Sequence, residues 1–242
     1  MIIYISIFTY YNCTNKIMPS PRALLFQNLI NEISIKMELL FYLAISQILF
    51  AGLGVLVLIV INYFKGNYFR YEKTVPYHEL LWTMLPTFIL LSVAIPSISL
   101  LYYHELEPDN DLTIKITAHQ WYWSYEYRDF ENIELDAFIK PTDNIRIGEN
   151  RLLERDNRVV LPIETSVRLL ITSEDVLHAW ALPAIGVKID AIPGRINSIF
   201  LFFKNVGFFY GQCRELCGAN HSFIPITVET TLPVLFKEWI IK

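Results

Sequence analysis

Two long apolar runs, followed by a change of period, organise this chain. "LLFYLAISQILFAGLGVLVLIVINYF", Leu39 to Phe64, contains no charged residue. As a helix it crosses the ~30 Å hydrocarbon layer of a bilayer. A second span, "LLWTMLPTFILLSVAIPSISLLYY", runs from Leu80 to Tyr103 and holds Pro86 and Pro96. Proline breaks a soluble helix, but a membrane helix with neighbours tolerates it. Beyond Tyr103 the pattern shortens to alternating runs separated by Asp, Asn, Gly and Pro. "LTIKITAHQ", "SVRLLIT", "NSIFLFF" and "ITVET" read as strands, and "VLFKEWIIK" as a short terminal helix. The expected organisation is an N-terminal extension and tail over 1–37, a helix hairpin over 38–103, and an all-β sandwich or barrel over 104–242.

Charge orients the hairpin. The connecting stretch "KGNYFRYEKTVPYHE" sets Lys65, Arg70 and Lys73 against Glu72 and Glu79. The positive-inside rule places it on the cytoplasmic or matrix side, with the β head on the opposite face. Glu79 at the start of the second span reads, from residue type alone, as a group reaching for water. The first seventeen residues have an apolar run without a basic n-region or a clear small-residue cleavage site. They read either as a leader or as an extension upstream of Met18.

The net charge of −4 is uneven: residues 1–103 are slightly basic and 104–242 are acidic. An acidic head repels nucleic acid and attracts basic proteins, so no nucleic-acid partner is expected.

The chemistry is concentrated in "GQCRELCGANHSFIPI", Gly211 to Ile226. Three cysteines are too few for a disulfide framework, although a single Cys213–Cys217 bridge is compatible with the spacing. Cys213, Cys217 and His221 form a C-x3-C-x3-H run, and His178 in "SEDVLHAW" is the natural fourth ligand from a neighbouring strand end. Thiolates with imidazoles suit zinc or copper. Structural zinc sites commonly use two close-set ligand pairs, whereas His178 stands far upstream. A membrane-anchored copper-delivery protein without turnover also joins C-x3-C to a distant His, but with the cysteines early in an α/β domain. Here the order is reversed.

At "HQWYWSYEY", "SEDVLHAW", "GVKIDAIPGRIN" and "GQCRELCGANHSF" the chain closely resembles subunit II of cytochrome c oxidase, in order from about Phe26 to the C-terminus. The resemblance implies a cupredoxin-like Greek-key β-barrel on a two-helix transmembrane anchor, holding a binuclear copper centre, CuA. It implies that Cys213 and Cys217 bridge the two coppers, that His178 and His221 are imidazole ligands, and that the Glu215 carbonyl is a further ligand. The Glu215 carboxylate is expected to reach a magnesium ion shared with subunit I. Electrons would come from reduced cytochrome c through Trp121 and pass to haem in subunit I, where oxygen is reduced and protons are pumped. Other oxidase subunits and the lipid membrane complete the expected partners. Glu79 would mark the mouth of a proton path, and Glu126, Asp129, Glu174 and Asp175 would form the docking surface for cytochrome c. Retention of both Cys and both His points away from a quinol oxidase. The implied location is the mitochondrial inner membrane with the head in the intermembrane space, the bacterial plasma membrane being the alternative.

Trp121, Trp123 and Tyr125 also read as one face of a strand at period two, with Trp121 exposed and Trp123 structural. One residue departs from the family: Ile224 stands where a weakly ligating Met is usual. Only four Met accompany roughly thirty Ile, well above average usage of Ile. A mitochondrial AUA codon, read as Met by the organelle and printed as Ile by the standard code, is a second explanation.

Overall fold

In the computed structural model, residues 16–17, 31–66, 76–105, 109–131 and 133–241 are described. They form two compact units, a helical one over Ile35–Leu106 and a β-rich one comprising the rest. Most of the basic connecting stretch and of the first seventeen residues lies outside the described residues.

The helical unit consists of α1 (Glu32–Lys65, 34 residues) and α2 (Pro76–Glu105, 30 residues). At about 1.5 Å per residue both outlast a bilayer core. The Lys36 ammonium sits 3.9 Å above the Tyr103 ring, and Gln47 Nε2 donates to Ser92 Oγ at 2.6 Å. These two contacts set the helices antiparallel. Apolar side chains are exposed around both helices, as lipid-facing surfaces require. α2 stays helical through Pro86 and Pro96, and the Thr83 and Thr87 hydroxyls donate to carbonyls one turn back.

In the β-rich unit one sheet carries β2 (Leu112–His119), β3 (Tyr122–Tyr127), β4 (Glu134–Ala137), β6 (Ser166–Ser173) and β9 (Asn197–Phe202). Their order is β4-β3-β2-β6-β9. A second sheet joins β1 (Lys16–Ile17), β10 (Gly207–Gln212), β11 (Pro225–Thr231) and β5 (Val159–Pro162), in that order. β7 (His178–Leu182) and β8 (Val187–Ala191) make a separate ribbon, and α3 (Pro233–Ile240) closes the chain. The architecture is a cupredoxin-like β-sandwich. This is the all-β fold of cupredoxin type that the alternating runs and the resemblance lead one to expect, its strands divided between two main sheets.

Period two explains the first sheet. Leu112, Ile114, Ile116 and Ala118 of β2, and Val167, Leu169 and Ile171 of β6, point inward and are buried. Ile226 and Val228 of β11, with Phe209 of β10, face the same core. Trp123, Tyr125 and Tyr127 of β3 fill it.

Candidate metal centre

The site is built where β10 runs out and the chain turns back into β11. Gly211 and Gln212 still pair with Ile226 and Pro225. Cys213 N–H then donates to the Ile224 carbonyl at 3.0 Å, and Arg214 N–H donates to Ala179 O of β7 at 3.1 Å. Those two bonds anchor the loop between β11 and the strand that begins at His178. Gly218 adopts φ +121, a left-handed conformation that favours glycine. A Cβ there would press on Gln120 Nε2 at 3.2 Å and on the Trp121 ring at 3.3 Å. A 3-10 turn, His221–Phe223, follows and swings the imidazole back toward Cys217.

The ligand atoms of His178, Cys213 and Cys217 lie within 4.8 Å of one another, and all three residues are buried. Both cysteines are free, with the sulfurs 4.0 Å apart, so the disulfide alternative is excluded. His178 Nδ1 faces Cys213 Sγ at 3.9 Å, and His221 Nδ1 faces Cys217 Sγ at 3.5 Å. The Glu215 carbonyl lies 3.3 Å from Cys213 Sγ. Burial raises the Cys213 thiol, but hydrogen bonds with His178, the backbone at Ala179 and Glu215, and His221 outweigh it and bring the group to about 6. Burial and the neighbouring Cys213 charge push Cys217 up to about 12. Two close, buried sulfurs flanked by two imidazoles suit a soft metal such as copper.

His178 is held from behind. Burial disfavours its charged form, yet bonds to Cys213 and Asp175 outweigh this and raise its pKa. Its Nε2 lies 2.9 Å from Asp175 Oδ1, and its ring meets Trp123 edge-on at 6.0 Å. Burial raises the Asp175 carboxyl, but bonds from Val176 N–H, His178 and Gln120 N–H hold it below the ordinary range.

Trp121 lies in the β2–β3 turn rather than in a strand, and packs at the edge of the core that fully buries Trp123 and Tyr125. It is half-buried, not exposed as expected, because its ring lies against Gly218 of the cysteine loop. The sequence-predicted acids divide. Glu174 and Asp175 flank the site, Glu174 being 72% exposed and paired with His119 at 3.0 Å. Glu126 is four residues along β3 from Tyr122, roughly 13 Å at about 3.3 Å per residue. It pairs with Lys115 at 3.3 Å and Arg128 at 3.0 Å. Asp129 accepts from Thr113 N–H at 2.5 Å, at the same far end of the hairpin. The Glu215 carboxylate is 40% exposed and faces Lys188 Nζ at 3.7 Å. Ile224 is wholly buried in the core. Glu79 belongs to the other unit, exposed in the first turn of α2.

Two contributors were not singled out from sequence: Gln120, whose Nε2 donates to the Cys217 carbonyl at 2.8 Å, and Gly211. Gln120 stands inside the quoted "HQWYW", but a bond to a backbone carbonyl leaves no pattern in residue type.

Family profiles match both parts of the chain. "Cytochrome C oxidase subunit II, periplasmic domain" covers residues 112–231 and "Cytochrome C oxidase subunit II, transmembrane domain" covers residues 25–100. Cytochrome c oxidase subunit 2 of Caenorhabditis remanei is 50% identical over 193 residues, spanning 77% of this chain and 84% of the relative. The Caenorhabditis elegans protein of the same name is 49% identical over the same shares. Among solved structures, the periplasmic domain of subunit II of cytochrome oxidase (CoxB) of Bradyrhizobium japonicum superimposes with a TM-score of 0.52 at 45% identity. That match covers 56% of this chain and 94% of the bacterial domain.

Proposed function

The chain belongs to the cytochrome c oxidase subunit II family, and from that premise we propose how its parts carry out the work of that subunit in the oxidase. It is a membrane-anchored protein whose C-terminal soluble domain presents a His/Cys/Cys cluster. Cys213, Cys217, His178, His221 and the Glu215 carbonyl would together hold a pair of copper ions. Position 224 stands where the family places its weak thioether donor. When bound, the copper pair spreads one electron over two metals and two sulfurs, which keeps reorganisation small. The observation that carries this reading is the set of three buried ligand atoms within 4.8 Å of one another, with both cysteines free.

The remaining roles follow from position. Trp121 packs on Gly218, the residue that follows Cys217, so it is the side chain through which an electron from cytochrome c reaches the centre. Glu174 steers that basic donor. Asp175, Glu126 and Asp129 add to the acidic field, the last two from farther away. The Glu215 carboxylate, exposed beside Lys188, would hold a magnesium ion at the boundary with subunit I. Glu79 opens a proton path at the opposite membrane face. The nematode relatives favour the mitochondrial inner membrane, with the head in the intermembrane space.

Metal analysis and EPR of the copper-loaded full chain test the central claim. Two coppers per chain with a mixed-valence signal are expected. One copper, or bound zinc, would overturn it.

A further inference from the structure

Three loops meet at the candidate centre, and one hydrogen-bonded chain ties them together. It starts at His178, whose Nε2 lies 2.9 Å from Asp175 Oδ1. It continues through Asp175 Oδ2, which accepts from the Gln120 backbone N–H at 2.6 Å. It ends where Gln120 Nε2 donates to the Cys217 carbonyl at 2.8 Å. We infer that Asp175 and Gln120 are positioning residues that lock His178, Trp121 and Cys217 into one unit. Place of electron arrival and metal ligands then move together. This inference rests on the copper reading above.

The geometry at each link supports it. Imidazole has two nitrogens, and a partner on one decides which is free for a metal. With Asp175 on Nε2, His178 keeps Nδ1 turned toward Cys213 Sγ, 3.9 Å away. Asp175 is itself fixed, because Val176 N–H donates to Oδ1 at 2.6 Å and Ser173 Oγ lies 3.3 Å from it. A carboxylate so engaged cannot swing out to meet a partner. Glu174, 72% exposed against 31% for Asp175, faces solvent instead.

Gln120 precedes Trp121 in the chain, so fixing its backbone and its side-chain amide fixes the base of the indole. The missing Cβ at Gly218 is the third part of the arrangement. Any side chain there would crowd both Gln120 Nε2 and the Trp121 ring. The Gln120 side chain thus bridges 97 positions in sequence to the loop that carries Cys217 and His221.

A steering role and a positioning role for Asp175 make different predictions. Loss of steering charge slows association at low salt and fades as salt rises. Loss of a positioning bond alters the centre itself at every salt concentration. Asp175→Asn keeps the shape and removes the charge. Gln120→Met keeps the length and removes the donor while leaving all charge in place.

The experiment uses the assembled oxidase with copper bound, and measures three quantities for each variant. These are the copper EPR hyperfine pattern, the electron-transfer rate within a preformed cytochrome c complex, and copper retention against a chelator. For Asp175→Asn we expect an altered hyperfine pattern and copper affinity lower by about 10–100-fold, as loss of a ligand's orienting partner costs. For Gln120→Met we expect the rate within the complex to fall about tenfold with KM for cytochrome c unchanged. Unchanged spectra and within-complex rates in both variants, with only a salt-dependent association defect in Asp175→Asn, would overturn the inference. Native enzyme that holds no copper pair would instead refute the proposed function, so the two failures are distinguishable. Thermal unfolding of each variant accompanies these measurements. A lowered transition with native spectrum and native rate would mark the bonds as structural only and also count against positioning.

Discussion

A methyl group added at Gly211 would meet the carbonyl oxygen of Ala181 at 1.9 Å. The two residues belong to β10 and β7, the strands that deliver Cys213 and His178. Close approach of these backbones brings the histidine beside the cysteine loop, and only glycine permits it. Both the oxygen and the strand carrying it are main chain, so no side-chain rotation relieves the clash.

Gly211→Ala is therefore expected to destabilise the domain by about 1–3 kcal/mol, the usual cost of overpacking. It should also lower the copper bound per chain, because the strand shift separates His178 from Cys213. Denaturant unfolding of the full chain in detergent, paired with metal analysis, checks both. Native stability with full copper loading would show that the strands reach their separation without this glycine.

The acids expected to dock cytochrome c should not act alike. Glu174→Gln removes an exposed charge next to the site and should slow association, with the difference shrinking as salt rises. Glu126→Gln removes a charge already shared by Lys115 and Arg128, at the far end of the hairpin. Its effect should be less than half as large. Stopped-flow kinetics over a salt series separates the two, and equal slopes would contradict this ranking.

The contrast shows what sequence reading reached. β2 and β6 were legible because each buries one face and so alternates strictly. β7 and β10 were not, because nearly every position along them is buried and no period remains to read. The ligand spacing Cys213, Cys217, His221 was visible because thiols and imidazoles are few and chemically distinct. The resemblance groups Glu126 and Asp129 with Glu174 and Asp175 as one docking surface. A strand carries residues away at about 3.3 Å each, and the structure places the first pair at the other end. Gln120 was hidden for another reason: its side chain meets a backbone carbonyl, which every sequence contains.

Trp121 packs on the cysteine loop and is only partly buried at the edge of the core. Trp121→Ala should therefore cut electron transfer from bound cytochrome c at least tenfold, by the scale on which misplacement reduces rates. Complex affinity and the copper spectrum should hardly change. Collapse of the copper spectrum would make the indole a packing element of the loop instead.

Glu229 in β11 supplies a pH test away from the metal site. Burial is the largest cause of its raised pKa, Glu154 adds to it, and Arg158 at 3.6 Å opposes it. A carboxyl with a folded pKa above its unfolded value contributes stability that is complete below about pH 4.3 and lost as pH rises through the folded value. Glu229→Gln, which cannot ionise, should be the more stable protein at pH 7, and the advantage should vanish toward pH 4. Arg158 keeps Glu149 and Glu154 as partners in that variant. Denaturant unfolding at several pH values measures this, and a variant less stable at pH 7 would reverse the sign.

Residue 224 joins the core and the metal loop, since its side chain is wholly buried and its carbonyl accepts from Cys213 N–H at 3.0 Å. Isoleucine offers no donor atom, where the family's methionine offers a weak one. Losing a weak donor destabilises Cu(II) more than Cu(I), so the centre with Ile224 should have the higher reduction potential. Electrons would then arrive more easily and leave for haem less easily. Methionine is flexible and close to isoleucine in volume, so Ile224→Met should cost less than about 1.5 kcal/mol of stability. Redox titration of native and variant should place the variant lower, and an unchanged potential would show that no thioether reaches the metal from this position. Mass spectrometry of the native peptide that follows Arg214 comes first. An isoleucine mass makes the substitution real and the comparison meaningful, whereas a methionine mass shows that the organelle reads the codon differently and restores the family's donor.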